Sequence, residues 1–471
     1  MAVELTREER ERLGRAALEW VLDYFERQSQ LPVYPTVGPD DLAARFAQPL
    51  PSEPQDPRTA FGDFQSVVDA SRHNGHPRMF GYVQSAGSFA GVAGDLLASA
   101  LNQNVTSWRS APAATTVEHQ VIDWLKTMVG YDPAGAGVLL SGGSFANFAA
   151  LAAALRASTD IDINRHGVAA LPGRPRIYTS PMTHMSIAKA ASMLGIGKDA
   201  IVVIPVDGEL RMSAPALAMQ VEQDRAARHH PICAVATAGD VNTGAIDPLE
   251  AIADVCAASK LWLHVDGSYG ALAARSRYVN AAMSGLSRAD SLSLDPHKWL
   301  FAPLDVGCLL VRNAATLRRA FSEGANYIDV VADSQMSDYA YWDHSPELSR
   351  RFRALKIWFL LKIHGARAIQ EAIDSNIAVA QHLASAIAAS DDFELLAPAP
   401  LSIVCFRYRG GDDAFNKRLM VDVQRDGDSY LSNAMIGGRF ALRACIVNYR
   451  TTRDDADRLL ATIRRVAARI A

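Results

Sequence analysis

Apolar strand-like runs alternate with alanine-rich helical stretches from about Gly81 to Asn313, and this alternation limits the fold more than any other feature of the chain. Such a pattern is typical of a mainly parallel β-sheet with helices on both faces. After the stretch SRRFRALKIWFLLKIHG the pattern changes to a mixture of helices and the strands FELLAPAPLSIVCFRYR and RFALRACIVNYR. We therefore predict an α/β fold followed by a smaller α+β unit.

Lys298 stands between two strand-like runs in the segment DSLSLDPHKWLFAPLDVGCLLVR. A lysine at the edge of a sheet is incompletely hydrated, which favours the neutral, nucleophilic amine that Schiff-base chemistry requires. Taken alone, a lysine in a loop is more simply a side chain that extends past Trp299 to water. The residues upstream of Lys298 favour the Schiff-base role over this simpler interpretation.

Asp266 ends the run KLWLHVD, in which Leu261, Leu263 and Val265 indicate a strand buried on both faces. Ligands of open α/β sheets bind at the carboxyl ends of the strands. A carboxylate there can keep a heteroaromatic nitrogen protonated, as a pyridoxal phosphate ring requires. The simpler alternative is an aspartate that caps the turn at Gly267.

Two further turns follow predicted strands. In GVLLSGGSFANFAALAAALRAS, a helix predicted to begin near Phe145 presents the backbone N–H groups of Gly142, Gly143 and Ser144, a suitable cradle for phosphate. The same pattern approximates a hydrolase nucleophile elbow on Ser144. His184 stands at the head of the next helix, where an imidazole can lie against an aromatic ring or simply pair with its neighbours.

The turn, His184, Asp266 and Lys298, in this order, resemble the fold-type I pyridoxal phosphate enzymes, specifically the group II amino acid decarboxylases. The resemblance runs from about Leu31 to Thr452 through LPVYP, SWRSAPAATTVE, SGGSFAN, HVDGSYG, DPHKWLF, SRRFRALK and LRACIVNYRTT. It implies bound pyridoxal 5'-phosphate, with Lys298 as the Schiff-base lysine, Asp266 at the pyridine nitrogen and His184 on the ring. The other cofactor contacts that it implies are Gly143, Ser144, Thr237, Ser268 and His297. Asp295 replaces the Asn of the animal aromatic enzymes, a change expected to affect the phosphate end.

The resemblance also implies the reaction, which is decarboxylation of an L-amino acid to its amine. It places Tyr82, Ser85, Asn104 and Thr106 near the substrate, and an aromatic substrate is favoured over an acidic or aliphatic one. Tyr327 precedes Phe352 by the interval at which aromatic decarboxylases carry a loop tyrosine that protonates Cα. Without that proton donor, the expected outcome is the alternative activity of an aldehyde synthase.

The predicted organisation has three parts: a helical arm over residues 1–80, a large cofactor-binding domain over 81–350 and a small α+β domain over 351–471. The arm carries apolar residues at helical spacing from Leu13 to Tyr24 and then three prolines in LPVYPTVGP, so it has no obvious core of its own. In the family such an arm packs on a second subunit, and the stretch NQNVTSWRS reaches the neighbouring cofactor. A homodimer is therefore predicted.

Composition limits the other classes. A formal net charge of -4 gives no support for nucleic-acid binding, and no apolar run reaches the length of a membrane span. Five scattered cysteines without a CxxC pair indicate reduced thiols and a cytoplasmic location. His229 and His230 lack a third ligand, so no metal site is predicted. A serine hydrolase would leave Lys298 and Asp266 unexplained, and a non-catalytic scaffold would not need Lys298.

Overall fold

The computed structural model describes residues 4–322 and 339–470. Within these residues seven strands form one sheet in the order β1-β7-β6-β5-β4-β2-β3. The strands are Ala136–Leu140 (β1), Pro175–Thr179 (β2), Ile201–Val203 (β3), His230–Thr237 (β4), Trp262–Asp266 (β5), Ser291–Leu294 (β6) and Gly307–Val311 (β7). Strands β2 to β6 pair in parallel, whereas β7 runs antiparallel to both β1 and β6. The predicted α/β fold with a mainly parallel sheet is confirmed.

Helices cover both faces of this sheet, which explains the continuous apolar runs of its strands. In β4, Cys233 and Val235 pack in one apolar cluster with the helices Gly143–Ala157 and Ser186–Met193. Ala234 and Ala236 belong to the apolar cluster on the opposite face of the sheet. The helices up to the end of the sheet are Arg7–Arg27 (α1), Pro39–Phe46 (α2), Pro57–Asp69 (α3), Phe89–Leu101 (α4), Pro112–Val129 (α5), Gly143–Ala157 (α6), Ile163–His166 (α7), Ser186–Met193 (α8), Ala214–Ala226 (α9), Leu249–Ala258 (α10), Pro296–Trp299 (α11) and Ala314–Phe321 (α12). Helix α6 begins two residues before the predicted Phe145, because the turn is complete by Gly142.

The remaining strands form a smaller antiparallel sheet in the order β10-β11-β9-β8. They are Phe393–Leu395 (β8), Ile403–Tyr408 (β9), Ser432–Ile436 (β10) and Arg439–Cys445 (β11), and they pack against the helices Ala354–Ala388 (α13), Asp413–Asp426 (α14) and Arg453–Ile470 (α15). Phe80 belongs to the core of this smaller unit, and its N–H donates to the Tyr430 carbonyl at 2.7 Å. The chain segment before the large sheet is thus attached to the small sheet.

The basic cluster of Arg350, Arg351 and Arg353 predicts an outer helix face, on which one arginine could meet an anion. In the structure Arg351 is 56% exposed, whereas Arg350 and Arg353 are buried. The Arg350 side chain is 1% exposed, forms an ion pair with the fully buried Glu118 and donates to the Val105 carbonyl at 2.7 Å. Arg353 pairs with Glu347 at 2.7 Å. Arg350 and Arg353 are internal because carboxylates and carbonyls accept their hydrogen bonds. Spacing along the sequence does not reveal such partners.

Helix α13 contains one break, at Gly365, where φ is 77°. The run SRRFRALKIWFLLKIHG predicts a helix that ends at this glycine, and the first helical stretch does end there, but a second stretch continues to Ala388. Among the described residues no helix combines the length and the apolar character needed to cross a membrane.

Candidate active site

A cavity of about 440 Å³ lies at the carboxyl edge of the large sheet. Its walls come from the turns that follow β1, β2, β4, β5 and β6, because parallel strands bring their carboxyl ends to one edge. Eight predicted cofactor residues line this one cavity: Gly143, Ser144, His184, Thr237, Asp266, Ser268, His297 and Lys298. Residues up to 155 positions apart in the sequence therefore meet at one site.

Lys298 is held on the short helix α11, directly after β6. The neighbouring Trp299 is fully buried, stacks on Tyr269 with 4.9 Å between ring centroids and donates to Asn376 Oδ1 at 3.0 Å. This anchor directs the preceding lysine to the cavity. The Lys298 Nζ forms an ion pair at 2.9 Å with Asp295 Oδ2, an atom that also borders the turn at Gly143.

Asp266 is the last residue of β5 and is buried at the cavity floor. Its carboxylate accepts hydrogen bonds from Ser268 N at 3.2 Å, Ser293 Oγ at 3.1 Å and Asn147 Nδ2 at 2.8 Å. Burial raises its pKa, but the Lys298 charge and these hydrogen bonds outweigh burial, so the pKa of Asp266 lies below its ordinary value. The group is an anion at neutral pH and can hold a proton on a ring nitrogen.

His184 follows β2 and precedes α8 by two residues. Its Nδ1 lies 2.8 Å from Ser186 Oγ, and Ser186 N donates to the same Nδ1 at 3.3 Å. Burial lowers the pKa of His184, and the neighbouring Asp266 only partly offsets this effect. The imidazole is therefore neutral at pH 7, a state suited to contact with an aromatic ring.

The turn between β1 and α6 fits a phosphate group. Helix α6 starts at Gly143 without a side-chain cap, which leaves its first N–H groups for a ligand. A Cβ at Gly143 would meet Ser268 Oγ and would lie 2.7 Å from Asp295 Oδ2, so glycine is needed for this close approach. Thr237 Oγ1 is buried without a hydrogen-bond partner in the described part of the chain. The donors, the anionic Asp266 and the amine of Lys298 together fit pyridoxal phosphate.

The predicted substrate residues are more widely spread. Tyr82 lines the cavity, with its ring 45% exposed and a left-handed backbone φ of 63°. Ser85 lies behind the cavity wall, where its Oγ donates to the His297 carbonyl at 3.1 Å. Asn104 accepts from Arg350 N at 2.8 Å, and Thr106 is buried beside Ser110; neither lines this cavity. Tyr327 lies outside the described residues.

Three side chains at the site were missed by the sequence analysis. Arg443 comes from β11 of the smaller sheet, is 7% exposed and lines the cavity. Its Nε donates to Ser432 Oγ at 3.0 Å and its Nη1 to the Val241 carbonyl, which fixes the guanidinium. Asn147 lines the cavity beside Asp266, and His264 lies behind it, with its Nε2 3.0 Å from Asn147 Oδ1. The one charge within the apolar run FALRAC is the signal that could have identified Arg443.

Fold and site together define a fold-type I pyridoxal phosphate enzyme, and comparisons with known proteins agree. The family described as "Pyridoxal-dependent decarboxylase conserved domain" matches residues 39–409. The chain is 35% identical to an aromatic-L-amino-acid decarboxylase of Bacillus atrophaeus, over 99% of this chain and 97% of that protein.

Two solved structures are similar over nearly the whole chain. The crystal structure of Oryza sativa TDC with PLP and tryptamine has a TM-score of 0.93 and 28% identity and covers 100% of both chains. That of Rhodiola rosea 4-hydroxyphenylacetaldehyde synthase has a TM-score of 0.89 and 28% identity and covers 99% of both.

The chain belongs to the pyridoxal-dependent decarboxylase family, whose members are carboxy-lyases that use pyridoxal phosphate. The predicted family, cofactor and enzyme class are confirmed. The hydrolase alternative on Ser144 gains no support, because no histidine hydrogen-bonds this serine in the described part of the structure.

Proposed function

We propose that this enzyme converts an aromatic L-amino acid to its amine and carbon dioxide. The observation that carries the choice of substrate is Tyr82, a half-exposed ring at the cavity wall that is held in a left-handed backbone conformation. Such strain in a residue other than glycine is typical of functional positions. Together with Val83, Val241 and Phe145 it gives the cavity an apolar wall against which an aromatic side chain packs.

The charges of the cavity also favour an aromatic substrate over an acidic one. Among the described lining residues the lysine and arginine side chains are those of Lys298 and Arg443. Lys298 is paired with Asp295 and is the amine reserved for the cofactor. Arg443 is thus the cation for the substrate's α-carboxylate, and a second, side-chain carboxylate would have no cation of its own among these residues.

Each residue of the site then has a separate role in the proposed reaction. Bound pyridoxal phosphate supplies the electron sink that accepts the pair released from Cα. Gly143 and Ser144 bind its phosphate end and Asp266 keeps a proton on its ring nitrogen, while Thr237 beside Asp266 is a further contact and the amine of Lys298 holds its aldehyde carbon. Arg443 orients the substrate carboxylate, which decides the bond that breaks.

Measurement of carbon dioxide release from each of the twenty amino acids tests this proposal. We expect tryptophan, tyrosine or phenylalanine to give kcat/KM at least about tenfold above any acidic or aliphatic amino acid, the discrimination that a few apolar contacts provide. Preference for glutamate or aspartate would contradict the proposed substrate class. Absence of release from every amino acid would contradict the proposed reaction.

The second candidate activity is that of an aldehyde synthase, which the similarity to the Rhodiola rosea enzyme supports. A tyrosine at position 327 favours the amine, since its hydroxyl is the proposed proton donor to Cα. In Tyr327→Phe we expect carbon dioxide release to persist while aldehyde replaces most of the amine. Parallel assays of amine, aldehyde and carbon dioxide measure this change. Tyr34→Phe is the matched control, and amine formation at the wild-type rate in Tyr327→Phe would exclude the proton-donor role.

We also propose a homodimer. Helix α1 has no buried side chain, and Leu18 and Leu22 on it are 49% and 44% exposed. Exposed apolar side chains at helical spacing support a second copy as their partner. The segment NQNVTSWRS, residues 102–110, is the one that the family resemblance directs to the neighbouring site, and Arg350 attaches it to this chain.

Replacing both Leu18 and Leu22 by Glu is expected to shift the protein from dimer to monomer in sedimentation velocity, because each carboxylate would be buried in the apolar interface. Activity should fall with the dimer fraction. Arg12→Gln on the same helix serves as a control that retains the dimer. A wild-type protein that sediments as an active monomer would contradict the homodimer.

A cytoplasmic location is the last part of the proposal. All five cysteines are buried and unpaired, and burial raises the pKa of Cys233, Cys256 and Cys405. Neutral, buried thiols that form no disulfide are typical of proteins in a reducing compartment.

A further inference from the structure

A chain of buried polar side chains runs behind the cavity floor from Trp262 to His184. Trp262 Nε1 lies 2.9 Å from Ser291 Oγ, which lies 2.9 Å from His264 Nδ1. His264 Nε2 is 3.0 Å from Asn147 Oδ1. Asn147 Nδ2 is 2.8 Å from Asp266 Oδ2 and 2.9 Å from Ser186 Oγ, and Ser186 Oγ is 2.8 Å from His184 Nδ1. These contacts form one continuous path.

The orientation of the Asn147 amide follows from Asp266. Because the pKa of Asp266 is lowered, its carboxylate is ionised and only accepts hydrogen bonds. The Asn147 atom that faces it must be the NH2 group, since a flipped amide would direct its carbonyl oxygen at an anion. Both amide hydrogens are then used, on Asp266 and on Ser186. Asn147 Oδ1 is consequently an acceptor.

The orientation of His264 follows from Asn147. Complete burial lowers the pKa of His264 to about 4, so the imidazole is neutral and carries one hydrogen. That hydrogen is on Nε2, because Asn147 Oδ1 accepts there. Nδ1 must accept, and Ser291 donates to it because the Ser291 oxygen already accepts from Trp262, an indole that only donates. The donor at Trp262 and the acceptor at Asn147 Oδ1 are therefore consistent with one pattern of hydrogen bonds through His264.

The same reasoning reaches His184. The Ser186 backbone N–H donates to His184 Nδ1, so Nδ1 is an acceptor, and the hydroxyl hydrogen of Ser186, whose oxygen accepts from Asn147, can be donated to the same nitrogen. Nδ1 therefore carries no hydrogen. With its pKa lowered by burial, His184 is neutral and bears its single hydrogen on Nε2.

We propose that Asn147 and His264 are positioning residues that hold His184 in the tautomer protonated on Nε2 and Asp266 in a fixed orientation. The proposal rests on the proposed role of His184 at the cofactor ring. In this tautomer His184 presents a hydrogen-bond donor at Nε2, so it can donate to a substrate oxygen and cannot remove a proton there. The path from Trp262 to His184 thereby makes His184 a hydrogen-bond donor at Nε2 before any ligand binds.

Long-range ¹H–¹⁵N correlation spectra of histidine-labelled protein, recorded without substrate, test the tautomer directly. We expect the His184 signals, assigned by their loss in His184→Asn, to show Nε2 protonated and Nδ1 unprotonated. In Asn147→Ala and His264→Leu the two tautomers should both be populated, because the 3.3 Å bond from Ser186 N is then the main interaction that favours an unprotonated Nδ1. His264→Gln retains an N–H donor towards Asn147 and should restore the single tautomer. His382→Leu, an exposed histidine of α13, serves as the control.

A wild-type His184 protonated on Nδ1 would overturn the proposal without use of any variant. So would an unchanged single tautomer in Asn147→Ala, because the Ser186 backbone N–H alone would then fix Nδ1 as an acceptor. In turnover assays we expect kcat to fall on the order of 10²-fold in Asn147→Ala with KM nearly constant, since misorientation of catalytic groups has effects of this size. The spectra require no turnover, so loss of the proposed decarboxylation would leave the tautomer result intact.

Discussion

Replacement of Lys298 by alanine is expected to reduce kcat/KM for carbon dioxide release on the order of 10⁴-fold or more, the scale of loss when a covalent catalytic group is removed. The physical reason is that Lys298 Nζ is the primary amine at the junction of the phosphate turn, Asp266 and His184. The absorbance of the purified protein between about 330 and 430 nm should also lose its response to borohydride, because no reducible bond to lysine forms.

The matched control is Lys417→Ala, an exposed lysine on α14 that is remote from the cavity, which should retain wild-type activity. Peptide mass mapping after borohydride reduction of the wild-type protein should locate the adduct on Lys298. An adduct on a different lysine, or a Lys298→Ala variant that keeps activity, would remove Lys298 from its proposed role. Alanine also leaves Asp295 buried without its 2.9 Å ion-pair partner, so folding should be checked by circular dichroism.

The second large effect is expected for Asp266→Asn, with kcat lower on the order of 10³-fold and cofactor still bound. The amide is nearly isosteric with the carboxylate but has no negative charge, so it cannot hold a proton on the ring nitrogen at neutral pH. The new side-chain amide can also turn its NH2 group towards the NH2 group of Asn147. Two donors cannot form a hydrogen bond, so the path from Asn147 to His184 would be weakened.

Steady-state kinetics and the absorbance spectrum of Asp266→Asn together measure this effect. Asp199→Asn, whose side chain is 91% exposed, is the control for loss of a carboxylate. Near wild-type kcat in Asp266→Asn would show that another group maintains the charge of the ring. Loss of cofactor with normal folding would indicate that Asp266 acts mainly in binding.

Much of the site followed from local sequence. Strand-like runs that end in Asp266 and Lys298 placed both residues at the carboxyl edge of a parallel sheet, and the structure has them there because neighbouring parallel strands end together. The turn at Gly143 was predictable for a similar reason, since a strand, two glycines and a helix form a standard connection. Periodicity and turn residues are local properties, so sequence alone was sufficient.

Charged partners from distant segments were the part that local sequence did not reveal. Arg350 was predicted on an outer face because its neighbours in sequence are arginines, yet its partner Glu118 lies more than 200 residues earlier. By contrast, the ion pair between Asp295 and Lys298 joins residues three positions apart, a local contact that the run DPHK could have indicated. Electrostatic partners from distant segments depend on distances in space, which spacing along the chain does not give.

The sequence by itself therefore determined the α/β fold class and the family with its cofactor. It also determined which polar residues follow successive strands along the chain. Only the tertiary structure decided that Arg443 of the smaller sheet enters the cavity and that His264 and Asn147 form one directed path to His184. The physical reason is that hydrogen bonds are directional and short in range. Their donors and acceptors pair only after packing has brought separate strands and helices within about 3 Å of one another.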